Sequence, residues 1–360
     1  GESIALEELP PSNLVFLLDV SGSMSSYNKL PLLKEAFGLL VEQLTEQDRV
    51  AIVTYSSVVN LKLPSTSGDN KDIIMQAINS LNAGGSTAGE AGIQLAYETA
   101  LENFIELGNN RVILATDGDF NVGISDDDAL VEFIETKRDD GVYLTVLGFG
   151  TGNLKGSKME KLADNGNGNY AYIDNINEAE KTLVNEIGGT LLTIAKDVKV
   201  QVEFNPEQVN SYRLIGYENR LLNDEDFDDD LKDAGDMGAG HSVTALYEIN
   251  PAADSGIAPT DPNMITLSIR YKEPDQLTSQ TLELSVFDTG TTLDEASDNF
   301  LFSSAAAQFG LLLRDSEYKG KASTDNVLEL AGSSLGEDVE GYRQEFVQLV
   351  EIYAGLAGEM

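Results

Sequence analysis

The chain has 360 residues, 41% of them apolar and 23% charged, so it is long enough to bury large cores without covalent staples. Its 61 acidic residues against 23 basic ones give a formal charge of −38, which argues against nucleic acid and anionic membrane surfaces as partners and suits a surface that draws cations. It has no cysteine, hence no disulfide framework, thiol nucleophile or thiolate zinc site. No apolar run reaches the roughly 18 residues of a membrane span, and the opening GESIALEELPPS lacks the basic and apolar parts of a signal peptide.

The first predicted element is a buried strand over residues 13–18 (NLVFLL), ending at Asp19. Residues 27–44 carry Leu32, Leu33, Ala36, Phe37, Leu40 and Leu44 at helical spacing. A second buried strand follows at 50–55 (VAIVTY), then a short helix over 71–81 and the glycine-rich loop AGGST. Residues 88–107 read as a helix and 111–116 (RVILAT) as a strand ending at Asp117. A helix over 126–138, a strand over 142–149, a short helix over 159–164, a strand over 169–173 and a long helix over 177–194 complete this part.

Apolar strands alternating with amphipathic helices predict an α/β fold with a doubly wound, mostly parallel sheet covered on both faces. Ligand sites in such sheets lie at the carboxyl ends of the strands, where the strand order switches. Asp19 and Asp117 both fall at strand ends.

From residue 197 the texture changes. Val198, Val200, Val202 and Phe204 alternate along DVKVQVEF, and residues 212–216, 243–249, 264–271 and 281–287 are also strand-like, which predicts a small antiparallel β-sandwich. Residues 300–313 (FLFSSAAAQFGLLL) and 342–356 then return to a helical pattern, and the wide apolar surface of the former implies burial within the protein. The expected domains are 1–196, the parallel sheet; 197–291, the sandwich; and 292–360, a C-terminal helical segment packing on the rest.

Asp19-Val-Ser21-Gly-Ser23 is an Asp-x-Ser-x-Ser loop after a buried strand. Alternate residues of an extended loop face one side, so three side-chain oxygens can converge. Thr87 adds a hydroxyl from the glycine-rich loop and Asp117 a second carboxylate. Such hard oxygen ligands suit Mg²⁺, with Mn²⁺ or Ca²⁺ able to replace it. Mg²⁺ normally keeps several waters, which leaves a position for a carboxylate from outside.

FLLDVSGSMS, AGGSTAGEAGIQLAY and ILATDGDFNVG resemble the metal-ion-dependent adhesion site of von Willebrand factor type A (VWA) domains, over about residues 12–194. The resemblance implies that Ser21, Ser23 and Thr87 ligate a metal directly, that Asp19 and Asp117 do so directly or through water, and that a protein partner supplies an Asp or Glu. TDGDFNVG (116–123), GYENR (216–220), EDFDDD (225–230) and DAGDMGAGHSVTALYEI (233–249) are similar to a bacterial VWA subfamily with YfbK-like members. That likeness covers most of the chain and implies an architecture but no activity.

Other candidates read blandly. Asp119 is either a group that orients metal waters or a solvated turn carboxylate. The acidic stretch 223–236 fails the Ca²⁺-loop spacing, with Asp229 where glycine is required, and reads as a solvated loop. His241, the one histidine, has no nucleophile motif nearby and reads as structural. Gly235, Gly238 and Gly240 read as tight turns.

The expected function is a divalent-metal-dependent protein-binding module for adhesion or assembly, not an enzyme, acting on neither nucleic acid nor a small-molecule substrate. The alternative is an adaptor working with a separate AAA-type ATPase, since the chain has no Walker motif. The expected location is outside the cytoplasm, in the periplasm or at the cell surface.

Overall fold

The computed structural model describes residues 10–86, 89–118, 127–150, 156–186, 193–217, 221–232, 234–252, 262–274, 276 and 278–358. The chain divides into two compact units. One comprises residues 1–199, 230–242 and 270–280, the other residues 200–229, 243–269 and 281–360.

The first unit is built on a six-stranded sheet in the order β3-β2-β1-β4-β5-β6. Its strands are β1 (Ser12–Asp19), β2 (Arg49–Tyr55), β3 (Val59–Ser67), β4 (Asn109–Thr116), β5 (Tyr143–Phe149) and β6 (Tyr170–Ile173). All neighbours pair in parallel except β2 and β3, which are antiparallel. Every residue of β1 and β4 is buried, as continuous apolar strands covered on both faces should be.

Alternation along β1 divides the core. Leu14, Phe16 and Leu18 pack with α1 (Leu30–Gln43) and α2 (Lys71–Asn79), while Val15 and Leu17 face α3 (Gly89–Glu102), α4 (Asp127–Asp139) and α5 (Gly156–Asn165). The doubly wound α/β expectation therefore holds. β1 lies between β2 and β4, so the switch in strand order falls at the carboxyl ends of β1 and β4.

Three readings from the sequence need correction. β3 was not anticipated; it is an edge strand with register shifts against β2, and Pro64 is tolerated there because an edge strand has N–H groups outside the ladder. The helix expected over 88–107 stops at Glu102, where the Asn103 side-chain amide donates to the Thr99 carbonyl (2.9 Å) and Leu107 adopts a positive φ of 60°. The long helix expected over 177–194 is instead α6 (Ile176–Glu180) followed by a π-helical turn, Lys181–Asn185. Residues 187–192 lie outside the described residues, and Thr193 and Ile194 already belong to a strand.

The later strands are antiparallel, as their alternation predicts. β7 (Thr193–Phe204), β8 (Val209–Ile215), β9 (Met237–Gly238), β10 (Leu246–Pro251), β11 (Ile265–Lys272) and β12 (Gln280–Val286) form a four-stranded sheet, β12-β11-β7-β9, and a β10-β8 pair. Three helices follow: α7 (Asp298–Leu313), α8 (Thr324–Ser333), which the sequence reading missed, and α9 (Tyr342–Ala357). Ala305, Val327, Ala331, Val347 and Val350 make their common core. Among the described residues no helix is long and apolar enough to cross a membrane.

Candidate metal centre

β1 delivers Asp19 to the switch point and β4 delivers Asp117 one residue past Thr116. Both carboxylates are fully buried. The chain leaves β1 as an extended loop held from two sides. Val20 N–H donates to the Tyr55 carbonyl (3.0 Å), and Gly22 N–H donates to the Gly85 carbonyl (3.0 Å). In return Gly84 N–H donates to the Val20 carbonyl (2.8 Å). Gly85 has φ +84°, and a Cβ there would lie 2.6 Å from the Ser57 hydroxyl, so glycine is needed for this close approach. Ser57 Oγ in turn accepts from Ser86 N–H at 2.8 Å.

Inside this frame Asp19 Oδ1 accepts from Ser21 N–H at 2.8 Å. Its Oδ2 accepts from the Tyr55 hydroxyl (3.3 Å) and the Thr116 hydroxyl (3.2 Å). Burial holds the Asp19 carboxyl above the usual carboxylate range; bonds from Ser21 and Thr116 oppose that rise and the neighbouring Asp117 charge adds to it. Burial, and then the Asp19 charge, push the Tyr55 phenol well up, so it stays a neutral donor. Ser21 Oγ and Ser23 Oγ lie 3.0 Å apart; Ser21 is buried and Ser23 exposed, so the hydroxyl pair runs from the interior to the surface.

Of the five expected ligands, Asp19, Ser21, Ser23 and Asp117 are described at the carboxyl end of the sheet. Thr87 lies outside the described residues, as does Asp119. The loop leading to Thr87 is bonded to the Asp19 loop through Gly84 and Gly85. Among the described residues no three His, Cys, Asp or Glu side chains gather at one point, so a cation here would depend on hydroxyl oxygens beside two carboxylates. The donor set fits a small hard ion. The Ser21 and Ser23 hydroxyls are hydrogen-bonded to each other, which keeps both oxygens on one side of the loop where an ion could take them together.

The sequence reading missed three groups. Tyr55 and Thr116 hold Asp19 from the adjacent strands. Lys29, one residue before α1, donates to Asp117 Oδ2 at 2.8 Å, with its side chain 10% exposed and that of Asp117 fully buried. The available signal was Gly150 directly after β5: a Cβ there would lie 2.4 Å from Lys29 Cε.

His241 is exposed, with its N–H donating to the Gly238 carbonyl at 3.1 Å. The acidic stretch is more than a solvated loop. Asn223 and Asp226 close a capping box, and Asp230 accepts from Arg270 (2.9 Å) and Ser279. Asp236 accepts from Asp197 N–H at 3.2 Å.

The model of the von Willebrand factor type A domain matches residues 13–186, and that of the C-terminal region of the uncharacterized protein YfbK matches residues 189–356. The uncharacterized protein YfbK of Escherichia coli (strain K12) is 45% identical over 364 residues, covering 97% of this chain and 63% of that protein. The chain thus spans less than two thirds of this relative's length. Human inter-alpha-trypsin inhibitor heavy chain H3 is 27% identical over 262 residues, covering 67% of this chain and 28% of that protein. A solved structure described as von Willebrand factor type A from Catenulispora acidiphila aligns with a TM-score of 0.51 at 16% identity, covering 93% of this chain and 82% of the other, which bears on the fold alone.

Proposed function

We propose that this chain, a von Willebrand factor type A domain protein with a YfbK C-terminal domain, is a binding module whose partner completes the shell of a divalent ion at Asp19, Ser21, Ser23, Thr87 and Asp117. The observation that carries the reading is the pair of fully buried carboxylates at the switch point, beside two hydroxyls of the Asp19 loop that face each other. Two buried carboxylates need cationic charge to remain ionised, and Lys29 supplies one unit of it, at Asp117.

When bound, the ion would supply a Lewis-acidic position for an outside oxygen. The protein's part is to fix that position. Tyr55 and Thr116 orient Asp19, Ser21 N–H holds its other oxygen, and the Gly85 contact fixes the serine loop. Mg²⁺ is the proposed ion, because hydroxyl and carboxylate oxygens are hard ligands and this small set leaves room for the several waters that Mg²⁺ normally keeps. The proposed partner is a protein presenting Asp or Glu. The hydroxyls act as ligands in this reading, not as nucleophiles.

The test is calorimetric titration of the chelated protein with Mg²⁺, Mn²⁺ and Ca²⁺. We expect one ion per chain in the wild type and at least a tenfold loss of affinity in Ser23→Ala, whose exposed side chain can be removed with little effect on folding. Asp117→Ala should abolish binding, but it also strands the buried Lys29 ammonium, so it needs the serine variant beside it. Absence of uptake in the wild type, or wild-type affinity in both variants, would sink the metal-centre reading.

A further inference from the structure

We propose that Lys29 is a resident cation of this centre: it neutralises Asp117 when no metal is present and competes with the divalent ion for that carboxylate, which sets the affinity of the site. The proposal rests on the metal-centre reading above and assigns a role to a residue outside the expected ligand set.

Lys29 is not a surface lysine that happens to lie near an acid. Its ammonium lies 2.8 Å from a fully buried carboxylate. Its backbone is fixed where the chain enters α1: Lys29 N–H donates to the Ser26 carbonyl (3.0 Å), and Leu33 N–H donates to the Lys29 carbonyl (2.8 Å). Its stem lies under Gly150, where a Cβ would meet Cε at 2.4 Å, Cγ at 2.6 Å and Cδ at 3.0 Å. Gly150 itself has φ +79°, a conformation that favours glycine. The end of β5 therefore combines a backbone turn with the space for one long side chain, and that side chain is aimed at a proposed metal ligand.

The electrostatic consequence follows from counting charges. Asp19 and Asp117 alone would offer a divalent ion two negative charges. With Lys29 in place they offer one, so the ion must share Asp117 with the ammonium or displace it. Loss of a like charge this close to the ion has a large effect, because the site is shielded from water. When the ion is bound and Lys29 remains, the centre carries one net positive charge instead of none. That excess favours an anionic oxygen in the open position, and so a partner carboxylate over water.

The experiment compares the full wild-type chain with Lys29→Met and Lys29→Arg. Each protein is purified with saturating Mg²⁺ so that Lys29→Met can fold, and Mg²⁺ affinity is then measured by competition with a chelator. Thermal unfolding is recorded with and without the ion. For Lys29→Met we expect Mg²⁺ binding tighter by at least about tenfold, together with a lower midpoint in chelator and a larger rise on adding Mg²⁺. Lys29→Arg, which keeps the charge, should retain an affinity within a few-fold of wild type. Opposite signs for metal affinity and metal-free stability are the signature, since a merely structural lysine would lower both. Unchanged or weaker Mg²⁺ binding in Lys29→Met, beside normal uptake by the wild type, overturns the role of Lys29 and leaves the metal centre standing. No uptake by any of the three proteins overturns the metal centre and this proposal with it.

Discussion

β1 and β12 are strands of similar length, eight and seven residues, yet every residue of β1 is buried and every residue of β12 is exposed. The difference comes from how each is connected. A parallel neighbour requires a crossover, and the crossovers lay α1, α2, α3, α4 and α5 over both faces of the first sheet. Antiparallel strands need no such cover, and β12 is the end strand of its sheet. Leu282 and Leu284 remain 53% and 54% exposed, whereas Leu14 and Leu17 have no exposure. Rigid positioning of Asp19 is thus a by-product of burying β1 on both sides, and the candidate centre sits where the fold is best packed.

The sharpest test of that contrast is Leu17→Ala. The side chain is fully buried between sheet and helices, so its loss should cost about 2–5 kcal/mol in urea unfolding. A cost under about 1 kcal/mol would mean that β1 is less tightly covered than its burial indicates.

The same contrast explains what the sequence made legible. β1, β2, β4 and β5 announce themselves because strands buried on both faces are continuous apolar runs. Asp19, Ser21 and Ser23 were readable because they share one short loop, and Asp117 because it ends such a run. Tyr55, Thr116 and Lys29 were not readable, since each meets its carboxylate only through strand adjacency or the path of α1 around Gly150. β3 was hidden by Pro64 and by its edge position. In the helix read over 177–194, apolar spacing did not reveal the π-helical turn at Lys181–Asn185 or the strand that begins at Thr193. In the later part, alternation revealed the strands but gave no measure of how deeply each would be buried.

Carboxylates separate the two regions as well. Asp19 is held above its ordinary range by burial. In the antiparallel part, bonds from Ser279 and Arg270 hold Asp230 down at about 2. A depressed folded-state value stabilises the fold above the unfolded carboxyl value of about 3.9, and this contribution is lost as pH falls through about 2. Ser279→Ala removes the largest contribution to that depression. NMR titration should show the Asp230 midpoint moving up toward the ordinary aspartate range, and the loss of stability that this group contributes on acidification should become smaller and end at higher pH. An unmoved midpoint would show that the Ser279 bond does not set the acidity of Asp230.

The smallest effect is expected at β12. Leu284→Ser replaces an apolar side chain that is more than half exposed, so little burial is lost, and the hydroxyl can reach water without a protein partner. Serine is a poorer strand former than leucine, but the change stays within a strand whose seven residues are all exposed. The unfolding midpoint in urea should therefore move by no more than about 0.5 kcal/mol equivalent, against several for Leu17→Ala. A loss of 2 kcal/mol or more at Leu284 would be an effect of core size from an exposed position. It would mean that something covers this strand in solution, and the contrast between the two regions would then measure missing contacts instead of intrinsic packing.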